Sequence, residues 1–421
     1  MTITEDFLHY IWKNRLFMLP LYLITGEEVE VLDVGQHNRD SGPDFFNAKI
    51  RIEKTVWAGN VEIHIRTSDW FRHGHQDDGN YQNIILHVVY QNDREISGSR
   101  HHLIPTTEIR FPSHILDNFS SLLYNTDWIP CGTSIRNVDP LVLNLWLDRL
   151  MIERMEQKAG DIVRNHRETK GDWKETIYRQ LARNFGFKIN GVAFEILSKS
   201  LPLKFLERHY HNLTQTEALL FGQAGFLEIP DGDDYYMGLK NEYGFLRRKY
   251  NLRPMNHDLW KFLRMRPVNF PTIRIAQFAV LLCRNPGFLV NFLEHEPEII
   301  YQELRSLRPS GYWDDHYLFN KPSTAKKKAL GNEAVYNIII NTLIPVYFEY
   351  GRQTGKDHYK QKAVEFLEKL PPESNNIIEG WINNGMNVPN AFYSQALLQL
   401  KNNYCNFKKC LFCQIGNQII R

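Results

Sequence analysis

Residues 42–90 read GPDFFNAKIRIEKTVWAGNVEIHIRTSDWFRHGHQDDGNYQNIILHVVY, a stretch in which carboxylates and histidines stand around three apolar runs of strand type. Within residues 59–66 the side chains alternate: Val61, Ile63 and Ile65 on one side, Glu62, His64 and Arg66 on the other. That is the period of a pleated strand, with one face expected to pack and the other to present titratable groups. Pro43 fixes its own φ and leaves Asp44 at the start of the preceding strand, where its carboxylate can meet Glu62 on the neighbouring strand. Taken alone, Glu62, His64 and Arg66 also suit the solvated face of an edge strand.

Working outward, Thr4 can cap a first helix carrying Phe7, Leu8, Ile11 and Trp12 at helical spacing. Strand-like runs follow at residues 29–34, 45–52, 56–66 and 84–90, rich in β-branched and aromatic residues and separated by turn signals. Ser68 is a candidate N-cap for a short helix between the last two, and residues 77–80, DDGN, make a turn. The predicted order is helix, three strands, helix, strand.

Beyond Pro130 the pattern changes to helices, expected at residues 141–158, 172–185, 193–198, 217–221, 257–265 and 273–282 and again towards the C-terminus. Residues 127–140 carry Pro130, Gly132 and Pro140 with weak periodicity and mark a boundary. The expected fold class is α+β: an α/β domain over residues 1–130, then a mainly α-helical domain over residues 131–421, with a further break near residues 309–323.

The chain has 421 residues, 43% of them hydrophobic and 23% charged, and a net charge of +2, so attraction to polyanions must come from local patches. The N-terminus lacks the basic start and apolar core of a signal peptide. The longest apolar stretch, residues 335–350, is interrupted by Asn337, Asn341, Thr342, Pro345 and Glu349, too polar for a span of about 20 apolar residues. These readings predict a cytoplasmic protein with no membrane partner. Five cysteines are too few and too odd for a disulfide scaffold.

The element order, with Pro43-Asp44 on one strand and Glu62-Ile63-His64 on the next, resembles the PD-(D/E)xK nuclease superfamily. The resemblance implies a restriction-endonuclease-like core and metal-dependent hydrolysis of a phosphodiester in nucleic acid. Asp44 and Glu62, with the Ile63 carbonyl, would bind Mg²⁺ or Mn²⁺, and His64 would position the water where the family most often has lysine. Glu5 and Glu30 are candidates for a further acid. Two alternatives stand beside this one: a catalytically inactive nuclease-like module binding nucleic acid or protein, and a zinc hydrolase using the histidines from His64 to His87. His73 and His75 lack the i, i+4 spacing of a metalloprotease helix and are also candidates, with Arg66, for contacting phosphate. His87, inside an apolar run, reads as a hydrogen-bonded core histidine.

Over the whole chain, SGPDFFNAKI, WAGNVEIH, SDWFRHGH, ILHVVY, RPVNFPTIRIAQFA and YCNFKKCLFCQIG resemble an uncharacterised bacterial family, domain-of-unknown-function family 2851. In the helical half, residues 240–274 concentrate cations, Arg247, Arg248 and Lys249 among them, interleaved with aromatics; this suits a nucleic-acid strand, whereas aromatics at helical spacing also read as core. At the C-terminus Cys405, Cys410 and Cys413 have C-x4-C-x2-C spacing, and Cys131 is the expected fourth ligand of a structural zinc or iron–sulfur site. Cys283 reads as core.

Overall fold

The computed structural model describes residues 3–96, 104–284, 288–289 and 291–421. It divides into two compact units, one of Met1–Trp146 with Lys401–Arg421 and one of Leu147–Leu400. The units therefore divide between Trp146 and Leu147, inside helix α4 (Pro140–Glu168), rather than at residue 130, and the C-terminal cysteines belong to the sheet-bearing unit, not to the helical one. The break expected near residues 309–323 is absent, since that segment lies within the second unit.

The first unit opens with helix α1 (Glu5–Lys13), capped by the Thr4 hydroxyl accepting the Phe7 amide at 3.3 Å. Its apolar stripe buries Phe7, Leu8, Ile11 and Trp12. A mixed seven-stranded sheet follows: β1 (Leu21–Tyr22), β2 (Glu28–Asp33), β3 (Gln36–His37), β4 (Phe45–Ile52), β5 (Thr55–Arg66), β6 (Ile84–Gln91) and β7 (Thr106–Glu108). The order is β1-β2-β4-β5-β6-β7, with β3 also on β4. Strands β2, β4 and β5 run antiparallel, whereas β6 lies parallel to β5 and β7 parallel to β6. The single-turn helix α2 (Asp69–Arg72) sits in the β5–β6 crossover. Ser68 does not cap it; its hydroxyl donates to Asp93 at 2.7 Å instead.

Two backbone details set the strand ends near Asp44 and Glu62. A bulge between Phe45 and Ala48 puts Asn47 at φ 56°, a left-handed position asparagine tolerates, and shifts the register of β4 against β5. At Gly59 a Cβ would lie 2.7 Å from the Asn83 carbonyl, so the strands approach there only because the side chain is missing.

Helix α3 (Ser113–Tyr124) contributes Phe119, whose ring stacks on Phe7 at 5.0 Å. The returning C-terminal segment packs here: Asn118 donates to the Ile420 carbonyl at 3.3 Å, and the Trp146 and Tyr404 rings meet at 5.3 Å.

The second unit is helical, built from the rest of α4, α5 (Trp173–Phe185), α6 (Phe187–Ser200), α7 (Leu203–Leu206), α8 (Leu213–Gln223), α9 (Asp234–Tyr250), α10 (Pro271–Arg284), α11 (Pro297–Ser306), α12 (Asn332–Ile338), α13 (Ile344–Thr354), α14 (Asp357–Lys369), α15 (Asn376–Asn383) and most of α16 (Ala391–Asn403). Its one hairpin pairs β8 (His316–Leu318) with β9 (Lys321–Pro322). Between α12 and α13 the chain makes a π-helical turn, Ile339–Leu343. The Asn184 amide reaches into it, donating to the Asn341 carbonyl and the Thr342 hydroxyl, each at 2.8 Å. Asn341 and Thr342 of this apolar run thus serve a widened turn. The helix expected at residues 257–265 is reduced to a short turn at His257–Leu259, because the buried Asn190 side chain holds both the N–H and the C=O of Lys261 at 2.9 Å. Among the described residues no helix is long and apolar enough to cross a membrane.

Candidate functional site

Strand β5 is interior, flanked by β4 and β6, so its polar face is not a solvated edge. Glu62 is 4% exposed and His64 1%. Asp44, just ahead of β4, meets β5 as the sequence predicts: its Oδ2 accepts the Ile63 amide at 2.8 Å, and Glu62 Oε2 accepts the Asp44 amide at 3.2 Å. The two acids are therefore locked to each other's backbones across the strand pair.

The other Glu62 oxygen faces imidazoles. His75 Nε2 lies 3.1 Å from Glu62 Oε1 and His64 Nε2 3.5 Å from it. His75 Nε2 is buried and makes no aligned hydrogen bond. His64 Nε2 is also 3.1 Å from His73 Nδ1, while its other nitrogen, Nδ1, lies 2.8 Å from His87 Nε2. Ligand-capable nitrogens of His64, His73 and His75 all fall within 4.8 Å of one another. His73 and His75 come from the crossover around α2, so the parallel β5–β6 connection carries them over Glu62 and His64. His73 is exposed, which opens the cluster to solvent on that side. Trp70, buried, stands edge-on to His75 and His87, and Tyr81 stacks on His75 at 3.8 Å.

Burial dominates the electrostatics. It pushes Glu62 up to about 9, with the Asp44 carboxylate adding to the shift, and holds the His64 ring neutral by lowering its pKa to about 2, with the other imidazoles opposing a further charge. His87 is lowered to about 3 by burial. Burial also disfavours the charged form of His9, on α1, but the Asp44 carboxylate outweighs it and the net shift is upward; His9 Nε2 lies 3.2 Å from Asp44 Oδ2.

Three imidazole nitrogens with a carboxylate oxygen form a donor set suited to Zn²⁺ or Mn²⁺. Asp44, Glu62 and the Ile63 backbone offer the oxygens a harder ion prefers, and Glu62 belongs to both sets. Of the predicted residues, Asp44, Glu62, Ile63, His64, His73 and His75 come together. Arg66 is exposed at the far end of β5, its amide bonded to Asp69 at 3.0 Å. Arg247, Arg248 and Lys249 are exposed on the last turn of α9, in the second unit. Several aromatics of that basic stretch are core: Tyr243 and Trp260 are buried, and Arg274 is buried on Phe187. Glu5 feels the charges of Asp44 and His73, whereas Glu30 pairs with Arg51 on exposed β2. His87 is a core histidine, as expected, yet it is bonded to the cluster.

Sequence reasoning missed His9, Trp70 and Tyr81. The signal for His9 was its place four residues after Glu5, on one helical face.

The five cysteines are free thiols. Cys131, Cys410 and Cys413 are buried and Cys405 is half-buried, all in the first unit, and burial raises the pKa of each. Cys413 is thereby a poor nucleophile. Cys283, half-buried, lies in the second unit beside Thr216 and not fully in the core.

No curated protein and no solved structure matches the chain. A family model described as "Protein of unknown function (DUF2851)" matches residues 5–376, and with that cover the chain belongs to this family.

Proposed function

We propose that this protein is a metal-dependent hydrolase of phosphodiesters, with nucleic acid as the substrate class. The observation that carries the reading is the convergence of Asp44, Glu62, His64, His73 and His75 where β4 begins beside β5. The strand order supports the resemblance to PD-(D/E)xK nucleases: a helix, an antiparallel trio β2-β4-β5, a crossover and a parallel β6 is the element order expected from that superfamily. Lysine, the usual third member, is replaced by a buried neutral histidine. The imidazoles added by the crossover shift the donor set from Mg²⁺ towards Mn²⁺ or Zn²⁺.

A divalent ion held by Glu62 with the histidines, or by Glu62 with Asp44, would supply Lewis-acid polarisation and a bound water of lowered pKa. The chain does the positioning. Asp44 is aimed by the Ile63 amide and His9. His87 sets the His64 tautomer, since a proton on His64 Nδ1 directed at His87 leaves Nε2 with its lone pair towards His73 and Glu62. Trp70 and Tyr81 wall the imidazoles on the buried side, and the Asp44 carboxylate favours the protonated form of His9 against the cost of burial.

The test is cleavage of labelled single- and double-stranded DNA and RNA with Mg²⁺, Mn²⁺ or Zn²⁺, beside Asp44→Asn and Glu62→Gln variants of verified fold. Cutting that depends on the ion and is lost in both variants supports the proposal. Binding without cutting would instead make the protein an inactive nuclease-like module. Hydrolysis of a carboxylic ester or peptide in place of bis(p-nitrophenyl) phosphate would assign the histidine cluster to a zinc hydrolase.

A further inference from the structure

The hydrolase reading leaves four thiols unused. Cys131 follows α3 in a turn whose carbonyl accepts the Ser134 and Ile135 amides, while Cys405 and Cys410 each begin a short 3-10 turn and Cys413 follows the second of these. The C-terminal turns are fastened beside Cys131: Lys401 Nζ donates to the Trp128 carbonyl at 2.5 Å, and Lys408 Nζ to the Leu123 carbonyl at 2.6 Å. Gly416 closes the cysteine turns on each other, because a Cβ there would lie 2.2 Å from the Cys410 carbonyl. Cys131 lies within electrostatic reach of Cys413 and Cys410, Cys405 of all three other cysteines, and Cys410 of Cys413. The Ile415 and Gly416 amides and the Trp146 indole are directed at the Cys413 sulfur. N–H donors aimed at a sulfur suit a metal-bound thiolate, and four cysteines on adjoining turns supply the soft sulfur donors that Zn²⁺ or an iron–sulfur cluster takes.

We propose that Cys131, Cys405, Cys410 and Cys413 form a four-thiolate metal centre, taking Zn²⁺ or an iron–sulfur cluster, that fastens the C-terminal segment to the sheet-bearing unit. The centre is separate from the histidine cluster and does not depend on the hydrolase reading. Among the described residues no three of these sulfurs lie within 4.8 Å of one another, the spacing that unites the histidine nitrogens. Tetrahedral Zn–S bonds of about 2.3 Å would hold sulfurs about 3.8 Å from one another, so a zinc ion draws the turns inward, whereas a cluster suits a wider setting. On loading, each Cys–SH becomes a metal-bound thiolate and its proton leaves to solvent.

The experiment measures zinc, iron and acid-labile sulfide in full-length protein purified anaerobically without a metal-binding tag, alongside Cys131→Ser, Cys410→Ser and a His73→Ala/His75→Ala variant. Stoichiometric zinc, or iron and sulfide with visible charge-transfer absorption, is expected in the wild type. It should persist in the histidine variant and be lost in both serine variants. Co²⁺ added to metal-free wild type should give intense thiolate-to-cobalt bands, and a mercurial thiol titration of the loaded wild type should release the metal, which keeps the proposal testable even where a serine variant misfolds. Wild type that takes up none of these metals after anaerobic reconstitution, with all its thiols freely titratable, would overturn it. Metal retained in folded serine variants would overturn it equally. Success or failure of the cleavage assay bears on neither outcome.

Discussion

Glu62 faces two ways, one oxygen to the Asp44 amide and the other to His75 and His64, which makes it the residue both donor sets share. Glu62→Gln keeps the shape but removes the carboxyl group that would ionise on binding a metal, and metal affinity measured by isothermal titration should fall at least as far as in a single histidine variant. The side-chain hydrogen bond of His87 goes to His64. Its replacement, His87→Phe, is expected to weaken metal binding by about 10–100-fold, the usual cost of losing a partner that orients a ligand, while far-UV circular dichroism stays native. Unchanged affinity would show that His87 only fills space. At this scale the sequence was half legible. Pro43-Asp44 and Glu62-Ile63-His64 stand out because strand alternation puts chemistry at fixed positions, and the nearby histidines were visible as a group. Their convergence on Glu62 was not, because the path of the crossover depends on packing beneath Trp70. His9 comes from α1, and sequence spacing carries no trace of its meeting with Asp44.

Secondary elements were read well where the apolar period is strong. Strands β2, β4, β5 and β6 lie within a residue or so of their expected limits, while β1, β3 and β7 are two or three residues long and give no periodicity to detect. Residues 257–265 failed for a different reason: helical spacing was present, but Asn190 competes for the backbone of Lys261. Asn190→Ala should therefore cost about 1–3 kcal/mol in urea unfolding, because it removes both hydrogen bonds to the Lys261 backbone. At the interface of α8 with α9, Gly222 lies against the Tyr243 ring, 2.1 Å from where a Cβ would stand. Gly222→Ala is expected to destabilise by about 1–3 kcal/mol through overpacking, and the double variant with Tyr243→Leu should recover part of that loss.

Across the whole molecule, a change to helix after the sheet was legible from composition, but the return of the last 21 residues to the first unit was not, since nothing local marks a segment for a distant partner. Buried ionisable groups tie global stability to pH. Glu217, 1% exposed and bonded to Tyr235 and Ser310, has its pKa raised by burial from 4.5 to about 7. The folded state keeps this proton longer than the unfolded chain does, so its contribution is full below pH 4.5 and is lost as pH rises through 7, by about 3 kcal/mol. Thermal melts of Glu217→Gln against wild type should coincide best in acid and diverge in favour of the variant above neutrality. The contact of Trp146 with Tyr404 has a consequence for biosynthesis. On the ribosome the helical unit, Leu147–Leu400, is fully made before the residues that complete the sheet-bearing unit emerge, the reverse of the usual N-terminal-first order. A nascent chain held with Leu400 just clear of the ribosome should keep its helical part resistant to brief proteolysis while α1 and the strands remain open to cleavage, so the sheet-bearing unit closes only after Lys401–Arg421 has emerged.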